Sequence, residues 1–252
     1  MTTQVFATKQ KMTQAWTKLG KRVAVTQLTV TNNVVVDQKL DDAQQPVSFE
    51  IGFGDKKLKN VNKPLRSKLE KSGFSVGVQK VRQVAAEKGS ELKTGDTIKV
   101  EQVFSVGDVV KVQGTTKGRG FAGAMKRHGF SGQQKTHGQS DRWRAVGAIG
   151  QRTTPGRVFR GKKMPGHYGV ETQTVMGLTI LHIDPETQTL WLSGPVPGHI
   201  KAIVRITKTG QKKSVELDEK ASGIATPAVA TEAPSTDTAA DTSPAGDNGG
   251  AQ

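Results

Sequence analysis

The sequence predicts a mainly β protein: a small closed β-barrel with a short helical insertion, a long irregular basic loop extension and a disordered C-terminal tail. Short runs of β-branched and other apolar residues recur between turn residues along much of the chain. Glycine and positive charge are concentrated in one internal segment, and the chain ends in an acidic stretch without apolar periodicity. We therefore divide the chain into a discontinuous barrel body (1–113 and 171–213), an inserted basic arm (114–170) and an acidic tail (214–252).

Strand patterns fill the first part of the body. Residues 22–30 (RVAVTQLTV) are rich in β-branched residues, and the turn TNN separates them from the apolar run 34–36. A further strand pattern occupies residues 46–55. Gly-Asp turns lie in two later segments, 94–104 and 106–114, where apolar and polar residues alternate as in half-buried strands.

One helix is predicted near residues 62–73, within the body. Asn62 is placed to cap its N-terminus, Pro64 falls in its first turn, and Gly73 follows its end. This segment is the short helical insertion of the predicted fold.

The part of the body after the arm predicts a hairpin and a last strand. Residues 174–183 and 187–194 flank the turn DPET, in which Pro185 suits the second position of a type I turn. Residues 199–207 supply the last strand. Short strands at close spacing are typical of a small barrel or sandwich. Because the arm lies between strands of this body, we expect it to project from the barrel with both ends anchored.

The tail carries seven acids against Lys220 and is rich in Ala, Thr, Pro and Ser. Such a composition buries too little apolar surface to offset an ordering entropy of roughly 1–2 kcal/mol per residue. We predict a disordered, solubilising extension, with a regulatory role as the alternative.

The charge of the chain indicates its kind of partner. The formal net charge is +15, and the arm holds twelve lysines and arginines against one acid, Asp141. Such a balance makes a polyanion the expected partner. No cysteine is present, which excludes disulfides, thiolate metal sites and cysteine nucleophiles. No apolar run is long enough to cross a bilayer and the N-terminus lacks an apolar signal core, so we expect a cytoplasmic protein without a membrane partner.

The arm contains the spacing G-x-G-x-x-G at Gly118, Gly120 and Gly123, which also occurs in dinucleotide-binding loops. Asp141 follows at about the distance of a ribose-binding acid. However, no strand leads into Asp141 and no alternating strand–helix pattern follows, so there is no parallel sheet to form the crevice. We interpret the spacing as accidental in a glycine-rich segment and expect no cofactor and no small-molecule substrate.

Other reaction centres are not supported either. The three histidines of the arm, His128, His137 and His167, lie far apart and show no metal-ligand spacing, so we expect no metal site. Asp141 is the arm's single acid, and an ion pair with Arg142, Arg144 or another arginine of the arm is its simplest role. We expect no enzymatic activity.

The residue types of the arm suit RNA. Arginine binds phosphate bidentately and stacks on bases, lysine adds a point charge, and glycine lets the backbone approach phosphate closely. For the interleaved Phe121 and Phe159 we favour packing over base stacking, and for Trp143 both roles stay open. A long irregular arm fits a folded RNA with crevices better than a DNA groove. The predicted RNA-binding residues are Lys117, Arg119, Lys126, Arg127, His128, Lys135, His137, Arg142, Trp143, Arg144, Gln151, Arg152, Arg157, Arg160, Lys162, Lys163 and His167. The glycines predicted to approach phosphate are Gly118, Gly120, Gly123, Gly150 and Gly156.

Several motifs resemble the bacterial form of the ribosomal protein L3 family of the large subunit. They are GTTKGRGFAGAMKRHGFSG, THG, GAIGQRTTPGRVFRGKKMPGHYG and GPVPG, and the resemblance extends from about residue 9 to 208. The family usually has glycine where this chain has Ala7 and Lys11, and the tail has no counterpart in the family pattern. A free-standing RNA chaperone or general nucleic-acid-binding protein is the alternative.

The resemblance implies a structural, non-enzymatic constituent of the large ribosomal subunit. The barrel would sit on large-subunit rRNA beside other ribosomal proteins, and the protein would join the subunit early in assembly. The arm would extend toward the peptidyl-transferase region, with its tip at about residues 146–154. Gln151 matches a glutamine that is methylated in some family members; an unmodified amide that contacts RNA is the alternative.

Overall fold

The computed structural model describes residues 3–42, 45–74, 76–86 and 92–223, and strands dominate it, as predicted. The strands are β1 (Gln4–Trp16), β2 (Arg22–Thr29), β3 (Asn33–Leu40), β4 (Pro46–Lys56), β5 (Gly77–Ala85), β6 (Thr97–Ile98), β7 (Asp108–Thr115), β8 (Phe121–Ala122), β9 (Gly166–His167), β10 (Thr172–Asp184), β11 (Thr189–Ser193) and β12 (Ile203–Lys212). The helices are α1 (Lys63–Lys71), α2 (Val100–Val103), α3 (Ala124–His128) and α4 (Glu219–Ser222), with a 3-10 turn at Leu58–Asn60.

Six strands close into a barrel in the order β1-β12-β7-β10-β11-β2. All neighbouring strands are antiparallel, and β2 pairs with β1 to complete the cylinder. Closure removes the unpaired edges that would otherwise template pairing with other chains. The predicted closed barrel is confirmed, and it is built from segments on both sides of the arm.

The barrel interior is filled by inward-facing side chains of these strands. Leu28, Ile180, Leu190, Leu192 and Ile206 are fully buried. Strand residues alternate between the two faces of a sheet, so every second position along β11 faces the core. The core therefore joins segments far apart in sequence and holds the two strands that flank the arm, β7 and β10, side by side.

A second sheet, ordered β5-β4-β3-β6, packs against the barrel. Phe49 and Ile51 of β4 lie in the same buried cluster as the barrel core. Phe53 stacks on Phe6 of β1, with ring centroids 4.1 Å apart and planes 10° apart. The sequence places this part of the chain in the barrel body, but a closed barrel has no free edge to accept it. The body therefore consists of the barrel and this additional sheet around a shared core.

A buried asparagine joins the two sheets. The Asn33 side chain accepts a hydrogen bond from the Phe6 amide at 3.1 Å and donates one to the Phe6 carbonyl at 2.8 Å. Both bonds are buried, so they satisfy two backbone groups of β1 that water cannot reach.

Replacing Asn33 with alanine lowers the free energy of unfolding by about 2 kcal/mol, because both Phe6 backbone groups lose their partner inside the protein. Urea denaturation followed by circular dichroism measures the change. Asn60→Ala, at an exposed position of the 3-10 turn, is the control and shifts stability by less than about 0.5 kcal/mol. Equal losses in the two variants would contradict the role of Asn33.

The predicted helix is confirmed as α1. Leu69 is fully buried and packs with Val34, Val36 and Val78 of the second sheet. Lys68 forms ion pairs with Asp37 at 2.8 Å and Glu50 at 2.7 Å. The hydrogen bond from Lys68 holds the pKa of Asp37 below its usual range. Helix α1 is therefore tied to the sheet by both apolar and ionic contacts.

The strand predicted over residues 94–104 is largely wrong. Its strand portion is only β6, and α2 follows at once. Val100 and Phe104, four residues apart, are both buried and are linked by the hydrogen bond from the Phe104 amide to the Val100 carbonyl. Residues four apart share one face of a helix, so burying this pair favours a helical turn over alternation.

The body continues past residue 213, into the segment predicted as tail. The Trp16 amide donates to the Ser222 hydroxyl at 3.0 Å, and Leu217 forms a β-bridge with Thr17. Val215 and Leu217 pack against a small apolar cluster on the barrel. These two apolar side chains, two residues apart, anchor residues 214–223 to the barrel. The rest of the predicted disordered tail, 224–252, lies outside the described residues.

Candidate nucleic-acid interface

The arm leaves the barrel after β7 and returns into β10, where Thr115 and Thr172 form the last strand pair. The outgoing limb of the arm follows β7, and the returning limb leads into β10. Beyond the Thr115–Thr172 pair these two limbs stay hydrogen-bonded to each other. The Arg119 amide donates to the Tyr168 carbonyl at 2.8 Å, and the Tyr168 amide donates to the Gly120 carbonyl at 3.0 Å. Strands β8 and β9 continue the pairing. The base of the arm is thus a narrow two-stranded ribbon anchored at both ends.

Helix α3 turns the outgoing limb, and two predicted RNA-binding residues on it face the returning limb. An Arg127 guanidinium nitrogen donates to the Met164 carbonyl at 3.0 Å, and His128 Nε2 lies 3.1 Å from the same oxygen. Both side chains are only partly exposed, whereas Lys126 is exposed. Arg127 and His128 therefore hold the two limbs together within the protein.

In the middle of the arm, one backbone hydrogen bond joins two segments that lie apart in sequence. The Gln133 amide donates to the Trp143 carbonyl at 2.8 Å. Trp143 is 43% exposed, so part of its surface is buried and part is accessible to a ligand. The remaining predicted residues of this region are exposed: Lys135, His137, Arg142 and Arg144.

The outer part of the arm, residues 147–163, is exposed throughout. It presents Gln151 together with the five cations Arg152, Arg157, Arg160, Lys162 and Lys163. Apolar side chains among them are also uncovered. Such a surface has an amide, five cations and apolar groups facing outward, a combination suited to phosphates and unstacked bases.

The packing interpretation of two aromatic residues is wrong. Phe121 is 79% exposed and Phe159 is 54% exposed. Neither ring is covered by the arm, because the arm is too extended to form a core of its own. Their faces are available for stacking on another molecule.

The arm's charges are not neutralised within the described part of the chain. No carboxylate there lies within 4.0 Å of a lysine or arginine of residues 114–170. This corrects the predicted ion pair of Asp141 with Arg142 or Arg144. Uncompensated cations on an extended segment repel one another, so the arm gains electrostatically from a polyanion.

The predicted glycines differ in their surroundings. Gly120 and Gly156 have φ of +64° and +70°, in the left-handed region that favours glycine. A Cβ at Gly120 or Gly123 would meet nothing within 4 Å, one at Gly150 would lie 3.8 Å from the Arg157 carbonyl oxygen, and one at Gly118 would approach Val170 at 3.0 Å. The backbone at Gly120 and Gly123 is therefore open to close approach, and its contact with phosphate stays a prediction.

Gly169, which no sequence motif indicated, allows the two limbs of the ribbon to approach closely. Gly169 has φ of +84°, and a Cβ there would lie 2.2 Å from the Lys117 carbonyl oxygen. No side chain fits at that distance, so the two limbs meet this closely only because Gly169 has none.

Replacing Gly169 with alanine loosens the base of the arm. Because local opening becomes easier, tryptic cleavage after Lys117 and after Arg119 becomes roughly tenfold faster. Limited proteolysis of the free protein, followed by mass spectrometry, measures the rate. Gly120→Ala is the matched control, because it carries a similar positive φ but its Cβ meets nothing within 4 Å. Similar rates in both variants would show that backbone strain alone, and not the contact with Lys117, controls the opening.

Residues outside the prediction also shape the arm base. Lys9 of β1 donates to the Val196 carbonyl at 2.6 Å and to the Gly198 carbonyl at 3.1 Å. Burial lowers the pKa of Lys9 below its ordinary value, and the positive charge of Lys117 lowers it further. The Arg119 guanidinium lies over the Tyr168 ring, 5.0 Å from its centroid. No sequence signal links Lys9 to this site, because only the closure of the barrel brings it there.

The described residues form neither a metal-ligand cluster nor a long apolar helix. Within residues 3–42, 45–74, 76–86 and 92–223 no group of three or more His, Asp or Glu side chains is arranged to hold a metal ion. In the same ranges no helix is both long and apolar enough to span a membrane.

The fold and the arm define a class of protein: a β-barrel body that carries an extended cationic arm. A family model described as Ribosomal protein L3 matches residues 78–191. The chain is 40% identical over 215 residues to the large ribosomal subunit protein uL3 of Aquifex aeolicus, a match that covers 84% of this chain and 88% of that protein. The uL3 protein of Anaeromyxobacter dehalogenans is 38% identical over 232 residues (88% and 98%), and that of Ralstonia nicotianae is 39% identical over 206 residues (81% and 93%). The chain belongs to the ribosomal protein L3 family.

Proposed function

We propose that this chain is a structural constituent of the large ribosomal subunit that binds large-subunit rRNA through its arm. The observation that carries the proposal is the set of twelve arm cations on an extended segment without carboxylate partners among the described residues. Membership of the ribosomal protein L3 family supports rRNA as that polyanion. The role is structural, and no step of it requires a reaction at this chain.

We propose a division of tasks among the residues of the arm. The ribbon at the arm base fixes the direction in which the arm leaves the barrel, and Arg127 and His128 hold its limbs together. The exposed cations beyond α3 then neutralise phosphates, while Phe121, Trp143 and Phe159 supply faces for unpaired bases. We propose that the tip reaches toward the peptidyl-transferase region and that neighbouring ribosomal proteins contact the body.

We further propose that the chain joins the subunit early in assembly. A segment that carries uncompensated charge and little apolar burial gains most of its order from RNA, so binding and folding are coupled. The arm would then shape the rRNA around it while that RNA is still accessible.

Gln151 is exposed, within reach of a modifying enzyme in the free protein. We propose that its side-chain amide contacts rRNA, either unmodified or after methylation. Mass spectrometry of the tryptic peptide that contains Gln151 distinguishes the two states by one added methyl group.

The proposed function is tested by sucrose-gradient profiles of cell extract before and after a high-salt wash. Because many phosphate contacts in a folded site act together, the chain stays in the large-subunit peak through the wash. A general RNA chaperone also binds through counterion release, but its contacts are individually labile and weaken steeply with salt. Release into the light fractions, or a spread over all nucleic acid, would favour that alternative.

A further inference from the structure

A cleft of about 560 Å³ lies where the arm leaves the barrel. This volume is within the range of pockets that bind small ligands, and it would hold one nucleotide. Its lining includes Thr116, Lys117 and Arg119 of the outgoing limb, Tyr168 of the returning limb, Glu171 just before β10, and Gly198.

One side of the cleft is cationic. Lys117 lines it, and the positive charge of Lys117 acts on Lys9, whose ammonium donates to the Val196 carbonyl and to the carbonyl of Gly198, another lining residue. Two neighbouring lysines without a carboxylate partner among the described residues repel each other. An anion at this side would relieve that repulsion.

The second feature is a stacking platform. The Arg119 guanidinium lies 5.0 Å from the Tyr168 ring centroid, and the Arg119 amide is hydrogen-bonded to the Tyr168 carbonyl. Arg119 is exposed, so its guanidinium is accessible to a ligand while it lies over the ring. A guanidinium plane held in this way is prepared to stack on a base.

The third feature is an acidic residue, Glu171, in the lining of this cationic cleft. The Glu171 backbone is fixed on both sides by Thr116, whose amide donates to the Glu171 carbonyl at 2.9 Å and whose hydroxyl accepts from the Glu171 amide at 3.1 Å. Across the described part of the molecule, no lysine or arginine lies within 4.0 Å of the Glu171 carboxylate. A carboxylate repels phosphate, so its presence favours a ligand with hydrogen-bond donors next to its phosphate.

We propose that this cleft binds one unpaired guanosine of the rRNA. The guanidinium of Arg119 stacks on the base, the Glu171 carboxylate accepts hydrogen bonds from the base, and Lys117 neutralises the adjoining phosphate. This inference rests on the proposed function, because it names the nucleotide that one part of the RNA interface selects.

The chemistry of the bases selects guanine. A carboxylate offers two acceptors side by side, and guanine presents two adjacent donors, N1–H and N2–H, on its Watson–Crick edge. Adenine and cytosine each present an acceptor beside their amino group, and uracil has a single imino donor between two carbonyls, so all three place an acceptor against a carboxylate oxygen. Glu171 therefore discriminates against them.

The test is kethoxal probing of large subunits from cells in which a variant replaces this chain. Kethoxal modifies N1 and N2 of unpaired guanines, which are the atoms that Glu171 would cover. In wild-type subunits one unpaired guanine close to the arm base is protected. In Glu171→Gln subunits the same guanine reacts about as strongly as in protein-free rRNA, and Arg119→Lys, which keeps the charge but loses the planar fork, exposes it as well.

The control is Glu186→Gln, which makes the same chemical change at an exposed position beyond the opposite end of β10. It leaves the kethoxal pattern of the wild type unchanged. If no guanine gains reactivity in Glu171→Gln subunits that still contain the chain, the inference is overturned while the proposed function stands. Loss of protection spread over many guanines would also overturn it, since Glu171 would then act on the fold. If the wild-type chain is absent from the large subunit, the proposed function itself fails.

Discussion

Replacing Arg152, Arg157, Arg160, Lys162 and Lys163 with glutamine lowers the affinity for large-subunit rRNA about 100-fold or more at physiological salt. The five side chains are exposed. Each phosphate that the variant no longer neutralises reduces the slope of log K against log salt by roughly 0.7–0.9, so the slope becomes shallower by about 4. Titrations of labelled rRNA at several salt concentrations measure the affinity and the slope together.

The matched control removes the same charge from the body. Lys56, Lys57, Lys59, Lys63 and Lys71 are exposed around α1, and their replacement with glutamine changes the net charge equally. This variant loses only long-range attraction, so its affinity falls a few-fold. Both variants keep their unfolding free energy within about 0.5 kcal/mol, because exposed charges contribute little to stability. Equal losses of affinity in the two variants would show that total charge, and not the arm, binds rRNA.

The barrel could be predicted from the sequence because its strands carry the signals that depend on local sequence alone. β2 and β7 are rich in β-branched residues, and the hairpin of β10 and β11 is marked by its proline turn. The arm was visible for a different reason. Its charge and glycine content are incompatible with a packed core, so composition alone predicts an arm, and β7 includes the first two residues assigned to it.

Features set by tertiary contacts could not be predicted. Strand β5 places valines at 78, 81 and 84, a spacing of three that hides its pairing with β4. The positions of Asn33 and Lys9 depend on partners far along the chain. Similarly, Arg127 and His128 look like RNA ligands by residue type, but the return of the arm brings the Met164 carbonyl to them. Composition predicts which side chains suit RNA, and only the folded chain decides which of them face outward.

One buried charge in the barrel has a measurable consequence for stability. The Asp108 side chain is 0% exposed, and one of its oxygens lies 2.8 Å from Lys208 Nζ. The same oxygen accepts hydrogen bonds from the Ser105 amide at 2.9 Å and the Ser105 hydroxyl at 3.1 Å. Burial acts to raise the pKa of Asp108, but the bonds from Lys208 and Ser105 outweigh it and hold that pKa below its ordinary value. The ionised state of the buried Asp108 carboxylate therefore depends on the Lys208 ammonium.

Replacing Lys208 with methionine lowers the free energy of unfolding at neutral pH by about 3 kcal/mol, because it leaves a buried carboxylate without its cation. Lys212→Met is the control: Lys212 Nζ lies 4.0 Å from the other oxygen of Asp108 and its side chain is 67% exposed, so its loss costs less than about 1 kcal/mol. Urea denaturation of both variants between pH 3 and pH 7 measures the difference.

The pH dependence separates this charge effect from a loss of packing. In the wild type the folded pKa of Asp108 is depressed, so its stabilising contribution is complete above the unfolded value of about 3.9 and is lost as the pH falls through the folded value. Without Lys208, burial raises the pKa of Asp108 in the folded variant. As the pH falls, protonation of Asp108 then removes the cost of burying an unpaired carboxylate. The stability gap between wild type and Lys208→Met therefore narrows progressively as the pH falls toward 3. A gap that stays constant over this range would mean that the aliphatic stem of Lys208, and not its charge, stabilises the barrel.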